Sequence, residues 1–268
     1  MTMRATRSLP ITFGLVTVPV KLYGAGRDND AKFHMVHRPC GQRVNSATVC
    51  RTCDREITDK TEIIKGYPVS KEQMVLFEPE ELEALPLASG AGLDLTAFVP
   101  ADSVPIGRRE KTYFAVPGAN GKAGQKPFAL LRDAMARSKL LGLGKVAFGT
   151  GKESLCVVEP AGRLLAVSLL FWADEAANVA ELDSLVEQVA VSDAETQLAE
   201  QLIGALSQDG DVIDGLQDEY REALTALIDA KLMGQPMPTK VAAREETAEA
   251  DLMSVLTASV QQAKAKAA

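Results

Sequence analysis

Three of the chain's four cysteines fall within fourteen residues, and one of its two histidines stands three places before the first of them. The spacing is His37-x2-Cys40, nine residues, then Cys50-x2-Cys53. Each pair can aim both side chains at one point from a tight turn, and Gly41 follows the first pair where the backbone has to reverse. Zinc takes four such nitrogen and sulfur ligands tetrahedrally, and a closed set of four is the structural kind of site, with no position left for a reacting water. A disulfide network is a poor rival, since three cysteines cannot all pair with one another. A redox Cys-x-x-Cys belongs beside a strand-helix-strand pattern, and none surrounds this stretch. Unliganded thiols are the third reading, set against the polar flanks Arg38, Arg43, Arg51 and Arg55. His34, within Phe33-His34-Met35-Val36, reads as an ordinary strand or core-edge histidine.

The elements that must carry this site are short strands. Leu9 to Tyr23 alternates as strand, but the apolar parity switches between Leu15 and Val16, beside Gly14, which predicts a bulge, bend or short turn. Pro19 belongs at an edge or a bulge. A second strand region covers Glu62 to Phe77, with a break at Lys65-Gly66-Tyr67-Pro68. A short helix follows at Glu78–Leu85, with Pro79 in its first turn. Strands are then expected at 93–99, 111–116, 145–148, 155–158 and 164–171. Between them lie a Gly-rich turn over 117–126 and a helix over 128–139 with Leu130, Leu131, Ala134 and Met135 on one side. Many short strands with few helices predict a β-barrel or sandwich. After Trp172 the pattern turns helical. Ser192 and Glu195 form a capping box before the stripe Leu198, Leu202, Ile203, Leu206, which Gly210 ends. A second helix runs to Gly234, a polar linker covers 235–247, and an amphipathic helix over 248–264 carries Leu252, Met253, Leu256 and Val260 on one face.

At 268 residues and 46% hydrophobic, the chain suits a soluble globular protein of one large domain with appendages. No stretch reaches the ~18 to 20 apolar residues of a membrane span. Met1–Arg7 lacks an apolar region behind its charges, so a reducing cytoplasm is expected. The net charge of -7 is unevenly spread: +5 over residues 1–60, -5 over 61–100, +6 over 101–172 and -13 over 173–268. This predicts a basic working face and a separate acidic part. The residues offer no catalytic constellation. Gly142-Leu143-Gly144-Lys145 and Gly149-Thr150-Gly151-Lys152 fail the phosphate-loop pattern and read as turns between strands, and no Gly-x-Ser-x-Gly occurs. Cys156 reads as a core thiol.

Met3-Arg4-Ala5 followed by Ile11-Thr12-Phe13-Gly14-Leu15-Val16-Thr17-Val18-Pro19-Val20-Lys21-Leu22-Tyr23 resembles the opening of the bacterial Ku family, in its cellular and phage-borne forms alike. Phe33-His34, His37-x2-Cys40-Gly41, Cys50-x2-Cys53, Ile64-Lys65-Gly66-Tyr67, Phe98-Val99-Pro100, Ala173-Asp174-Glu175 and Asp218-Glu219-Tyr220-Arg221-Glu222-Ala223-Leu224 fit the same family, as does Asp251-Leu252-Met253. The resemblance implies a β-barrel core over 1–190 that carries the zinc-binding segment 37–53. It also implies a helical arm over 191–235 and a linker with a short partner-binding helix over 236–268. By the same resemblance the protein is no enzyme. It is a nucleoid-associated homodimer, a ring that threads double-stranded DNA ends in non-homologous end joining and recruits a ligase D-type ATP-dependent ligase through Leu252, Met253 and Leu256. Two departures stand out: Thr6-Arg7-Ser8 replaces the Trp-Lys-Gly of many relatives, and only Lys264 and Lys266 stand where many have a long lysine-rich tail.

A ring that accepts any end needs phosphate contacts and no base readout. The charge map supplies Lys21, Arg43, Lys65, Arg108, Arg109, Lys111, Lys122, Lys126 and Arg132 as candidates. The rival from another class is a zinc-ribbon transcription or adaptor protein with no preference for DNA ends.

Overall fold

The computed structural model describes residues 3–27, 29–85, 92–118, 122–148, 152–208, 212–235 and 252–267. The chain divides into two compact units: residues 1–29 with 33–178, and residues 30–32 with 179–268.

The first unit is built on a closed seven-stranded barrel. Its strands are β1 (Arg7–Phe13) and β2 (Val16–Gly24), then, after an inserted lobe, β7 (Leu93–Pro100), β8 (Arg109–Pro117), β9 (Leu140–Ala147), β10 (Glu153–Ala161) and β11 (Leu164–Leu170). The lobe between them holds β3 (Val49–Cys50), β4 (Arg55–Glu56), β5 (Lys65–Pro68), β6 (Met74–Phe77) and the short helix α1 (Pro79–Glu83). Around the barrel the order is β1-β2-β8-β11-β10-β9-β7, and the parallel pairing of β1 with β7 closes it. Thr12 fastens that seam by donating its hydroxyl to the Asp94 carboxylate at 2.7 Å.

The parity switch at Leu15/Val16 is a two-residue hairpin turn. Phe13 faces Val16, and Gly14 takes φ +57° at the first turn position, which a side chain there would resist. Pro10 and Pro19 lie opposite each other, where an antiparallel ladder asks neither for an N–H. Lys65–Pro68, expected as a break, is itself a strand paired with β6. A two-stranded hairpin has edges that tolerate the glycine and proline. Gly142–Lys145, expected as a turn, lies inside β9. A Cβ on Gly144 would collide with the Asp94 carbonyl beside the bulge between Leu95 and Ala97, so the glycine marks a close strand approach.

The barrel interior is filled by alternate residues, among them Ile11, Val18, Val20, Leu22, Leu93, Val146, Val158 and Val167. Helix α2 (Lys122–Ser138) adds Phe128, Leu131 and Met135 to the same cluster. Those three recur at helical spacing, whereas Leu130 and Ala134, expected beside them, stay exposed. Leu141, Val157 and Leu170 form a second cluster with Val99, Val104, Leu143 and Leu155, and alternation along β10 puts it on the face opposite Cys156 and Val158. No described helix is long and apolar enough to cross a membrane.

The second unit holds α3 (Val179–Asp183), α4 (Asp193–Leu206), α5 (Glu219–Leu232) and α6 (Leu252–Ala267). The Ser192–Glu195 capping box is present: the Glu195 amide donates to Ser192 Oγ at 3.3 Å and the Ser192 amide donates to Glu195 Oε2 at 2.7 Å. Asp218 caps α5 through the Arg221 amide, and Gly234 follows it at φ +66°. Helix α6 packs on α4. The expected linker over 235–247 lies outside the described residues beyond Gln235, as do Gly210 and residues 119–121 and 149–151 of the expected Gly-rich turns, while Lys122–Lys126, expected in the first of those turns, is the start of α2 instead.

Candidate nucleic-acid interface and metal centre

The four expected metal ligands sit on two hairpin knuckles of the lobe. In the first, the Gly41 amide donates to the His37 carbonyl at 2.7 Å and the His37 amide to the Gln42 carbonyl at 2.8 Å, over a bridge between Val36 and Arg43. That turn brings His37 Nδ1 to 3.1 Å from Cys40 Sγ. In the second, β3 and β4 pair Cys50 with Arg55, and the intervening turn faces Cys50 with Cys53. The Cys53 amide, and after it the Cys53 thiol, donate to the Cys50 sulfur and lower its pKa, while Cys53 is raised in turn. The knuckles share one backbone device: the residue after the second ligand is left-handed, Gly41 at φ +68° and Asp54 at φ +47°. The pairs are each formed, but among the described residues no three metal-capable side chains converge on one point. His34 lies in exposed chain outside any strand, so it edges no core.

Among its described residues the lobe around these knuckles has no core. From Tyr23 to Leu85 no described residue is buried, yet Phe33, Met35, Tyr67, Met74 and Leu76 are each more than half exposed. Strands β5 and β6 form a two-stranded sheet that pairs with no other described strand, an arrangement marginal in water by itself.

The candidate phosphate contacts scatter over the first unit. Lys21 stands on the outer face of β2, between the inward Val20 and Leu22. Arg43 and Lys65 are exposed on the lobe. Arg108 is half-buried in the turn before β8, its carbonyl accepting from the Phe171 amide at 2.9 Å. Arg109 is half-buried and committed to an ion pair, its guanidinium donating to both Glu159 oxygens at 2.5 and 3.2 Å. Glu159 raises the pKa of Arg109 further above its ordinary value. Lys111 lies over the Tyr113 ring, with Nζ 5.5 Å from the centroid. Lys122 opens α2, but its side chain lies outside the described ones. Lys126 and Arg132 line one groove with Gln125 and Arg163. There Arg132 is held by Asp133 and by the Arg163 carbonyl, to which it donates at 3.1 Å. The structure thus brings Lys126 and Arg132 together and leaves Lys21, Arg43, Lys65 and Lys111 on separate elements. Arg163 joins the groove from the β10–β11 turn, a neighbour no sequence spacing could reveal. Lys145 lies 5.7 Å from the centroid of Trp172, a second cation–ring contact that the sequence left unmarked.

Of the expected partner residues, Met253 and Leu256 are half-buried, and the Leu252 side chain lies outside the described ones. The deepest residues of α6 are Val260 and Ala263.

The first unit is thus a closed barrel filled by its own side chains, with a two-knuckle lobe inserted between β2 and β7. The family described as the Ku70/Ku80 beta-barrel domain matches residues 12–199, and the chain belongs to the Ku family. It is 36% identical over 261 residues to "Non-homologous end joining protein Ku 2" of Saccharopolyspora erythraea, covering 95% of this chain and 82% of that protein. It is 34% identical over 254 residues to "Non-homologous end joining protein Ku" of Heliobacterium modesticaldum, covering 95% and 90%. With the protein of that name from Archaeoglobus fulgidus it shares 34% over 233 residues, covering 87% and 90%.

Proposed function

We propose that this chain binds double-stranded DNA ends without sequence preference, as a homodimeric ring, and brings a ligase D-type ATP-dependent ligase to them in non-homologous end joining. The observation that carries the reading is the match to the Ku barrel over residues 12–199, alongside relatives named for end joining. The barrel geometry supports it: the interior is packed, so a duplex passes outside it, and encirclement falls to segments such as the lobe. The lobe exposes apolar side chains that no described residue of its own covers, as expected of an element completed by a second copy. Lys21, Arg43, Lys65 and Lys111 supply non-specific phosphate contacts, and Arg109 acts on the barrel instead. The protein is a scaffold with no reaction of its own.

The donor set of the two knuckles is of the kind zinc takes, each knuckle presenting its own pair. One imidazole and three thiols are the donors it prefers, and each knuckle presents its pair from a hairpin with a left-handed residue behind it. His37, Cys40, Cys50 and Cys53 would hold it, and its role would be to join the two hairpins of a lobe without a core. Elemental analysis of protein purified without chelators should find one zinc per chain; none would remove this part of the reading.

The test of the whole is a mobility shift with linear duplex, closed circular duplex and single strands. Linear DNA should bind, weaken steeply with salt, and resist competition by circles. Equal affinity for circles and fragments would overturn threading and favour an adaptor of another kind.

A further inference from the structure

In the second unit only Val260 and Ala263 are buried among the described residues, and both belong to α6. Helix α6 packs on α4, where Leu198, Leu202 and Ala205 are half-buried at helical spacing. The stripe of α6 runs Met253, Leu256, Val260, Ala263, with steps of three and four residues, and the intervening Ser254, Thr257, Gln261 and Gln262 are exposed. A helix of this length has one apolar stripe about 100° wide, and a helix so short is marginal in water unless that stripe is covered.

We propose that α4 and α6 form a latch: in the free chain α4 occupies the stripe of α6, and a ligase can take Met253 and Leu256 only after α6 leaves α4. The inference rests on the proposed assignment of α6 to the ligase. Met253 and Leu256 lie on the same stripe as Val260 and Ala263, so one stripe cannot serve α4 and a second groove together. Nineteen residues separate the end of α5 at Leu232 from the start of α6 at Leu252, so α4 competes as a tethered neighbour. Such tethering sets an effective concentration on the order of millimolar. A helix free for only about one part in ten binds its partner about tenfold more weakly than an unlatched one.

The experiment uses the full chain, with a purified ligase D-type ligase as probe and hydrogen exchange over 252–267 in its absence. Leu202→Glu puts a charge under α6. It should speed exchange in α6 and tighten ligase binding about tenfold. Gln201→Glu, an exposed position of the same helix, should match the wild type in both. Leu256→Glu should speed exchange and lose the ligase. If Leu202→Glu speeds exchange but leaves ligase affinity unchanged or weaker, the latch is overturned and the ligase assignment stands. If α6 exchanges as slowly in Leu202→Glu as in the wild type, α4 does not hold it and the latch is overturned. If the wild type and Leu202→Glu both fail to bind the ligase, the assignment of α6 falls, and the latch with it.

Discussion

Reversing the charge of Arg109 asks whether this side chain serves the barrel or the DNA. Its guanidinium spans both oxygens of Glu159, and the two side chains are 29% and 26% exposed. Exposed ion pairs contribute about 0.2–1 kcal/mol, and breaking a buried one costs about 3–5 kcal/mol. A pair one quarter exposed lies between. Arg109→Glu also sets two carboxylates face to face, so a loss of about 2 kcal/mol is expected. For a domain of this size that lowers Tm by about 4–8 °C. The assay is thermal unfolding followed through Trp172, the only tryptophan, which stands two residues beyond Leu170, the strand partner of Arg109. The swap Arg109→Glu with Glu159→Arg should recover most of the Tm and, with it, DNA binding. Lys111→Glu, at an exposed position, loses only its contact with the Tyr113 ring, so it should lower Tm by no more than about 1–4 °C, weaken linear DNA on every sequence, and reduce the salt slope by about 1. An Arg109→Glu protein that melts like the wild type yet loses DNA would refute the reasoning.

Three further outcomes are expected. The barrel interior pushes the Cys156 thiol from its ordinary 9.0 up to about 12 by desolvation. The folded value is the higher one, so its contribution is complete below pH 9 and is lost as pH rises toward 12. Melts at pH 10.5 should show about 2 kcal/mol less stability than at pH 8, and Cys156→Val should remove that part of the slope. Asp54→Gly should relieve a left-handed strain of about 0.5–1 kcal/mol and Gly41→Val should impose one of about 1–2 kcal/mol. Chelator competition should report tighter and weaker zinc, respectively. Gly144→Ala should cost about 2 kcal/mol or more by forcing β9 from β7, seen as a lower urea midpoint with the lobe's protease pattern unchanged.

Local features were legible in the sequence because their causes are local. The Leu15/Val16 parity switch became a hairpin turn, and the Ser192–Glu195 spacing became a cap. The knuckles followed from ligand spacing, since each turn is five residues or fewer. Lys65–Pro68 looks like a break in sequence because glycine and proline interrupt buried strands, whereas the edges of a hairpin accept them. Gly142–Lys145 looks like a turn in sequence because the reason for Gly144, the Asp94 backbone, lies 50 residues away. Distance hid the Arg109–Glu159 pair in the same way, and the same is true of α6 on α4: the amphipathic helix was visible and its seat was not.

The order of strands around the barrel has a consequence for synthesis. Ile11 and Leu93 pair across the closing seam, and Thr12 bonds to Asp94, 82 residues later. At about 5–20 residues per second that is a delay on the order of ten seconds. Through it the first hairpin carries Ile11, Val18, Val20 and Leu22 with neither outer edge paired. The last strand made, β11, does not end the sheet but enters its middle, between β8 and β10. Until Leu164–Leu170 leaves the ribosome, β8 and β10 each wait with an open edge. A ribosome stalled before Arg163 would therefore hold an open sheet, and fragments ending there should be insoluble even though every other strand is present.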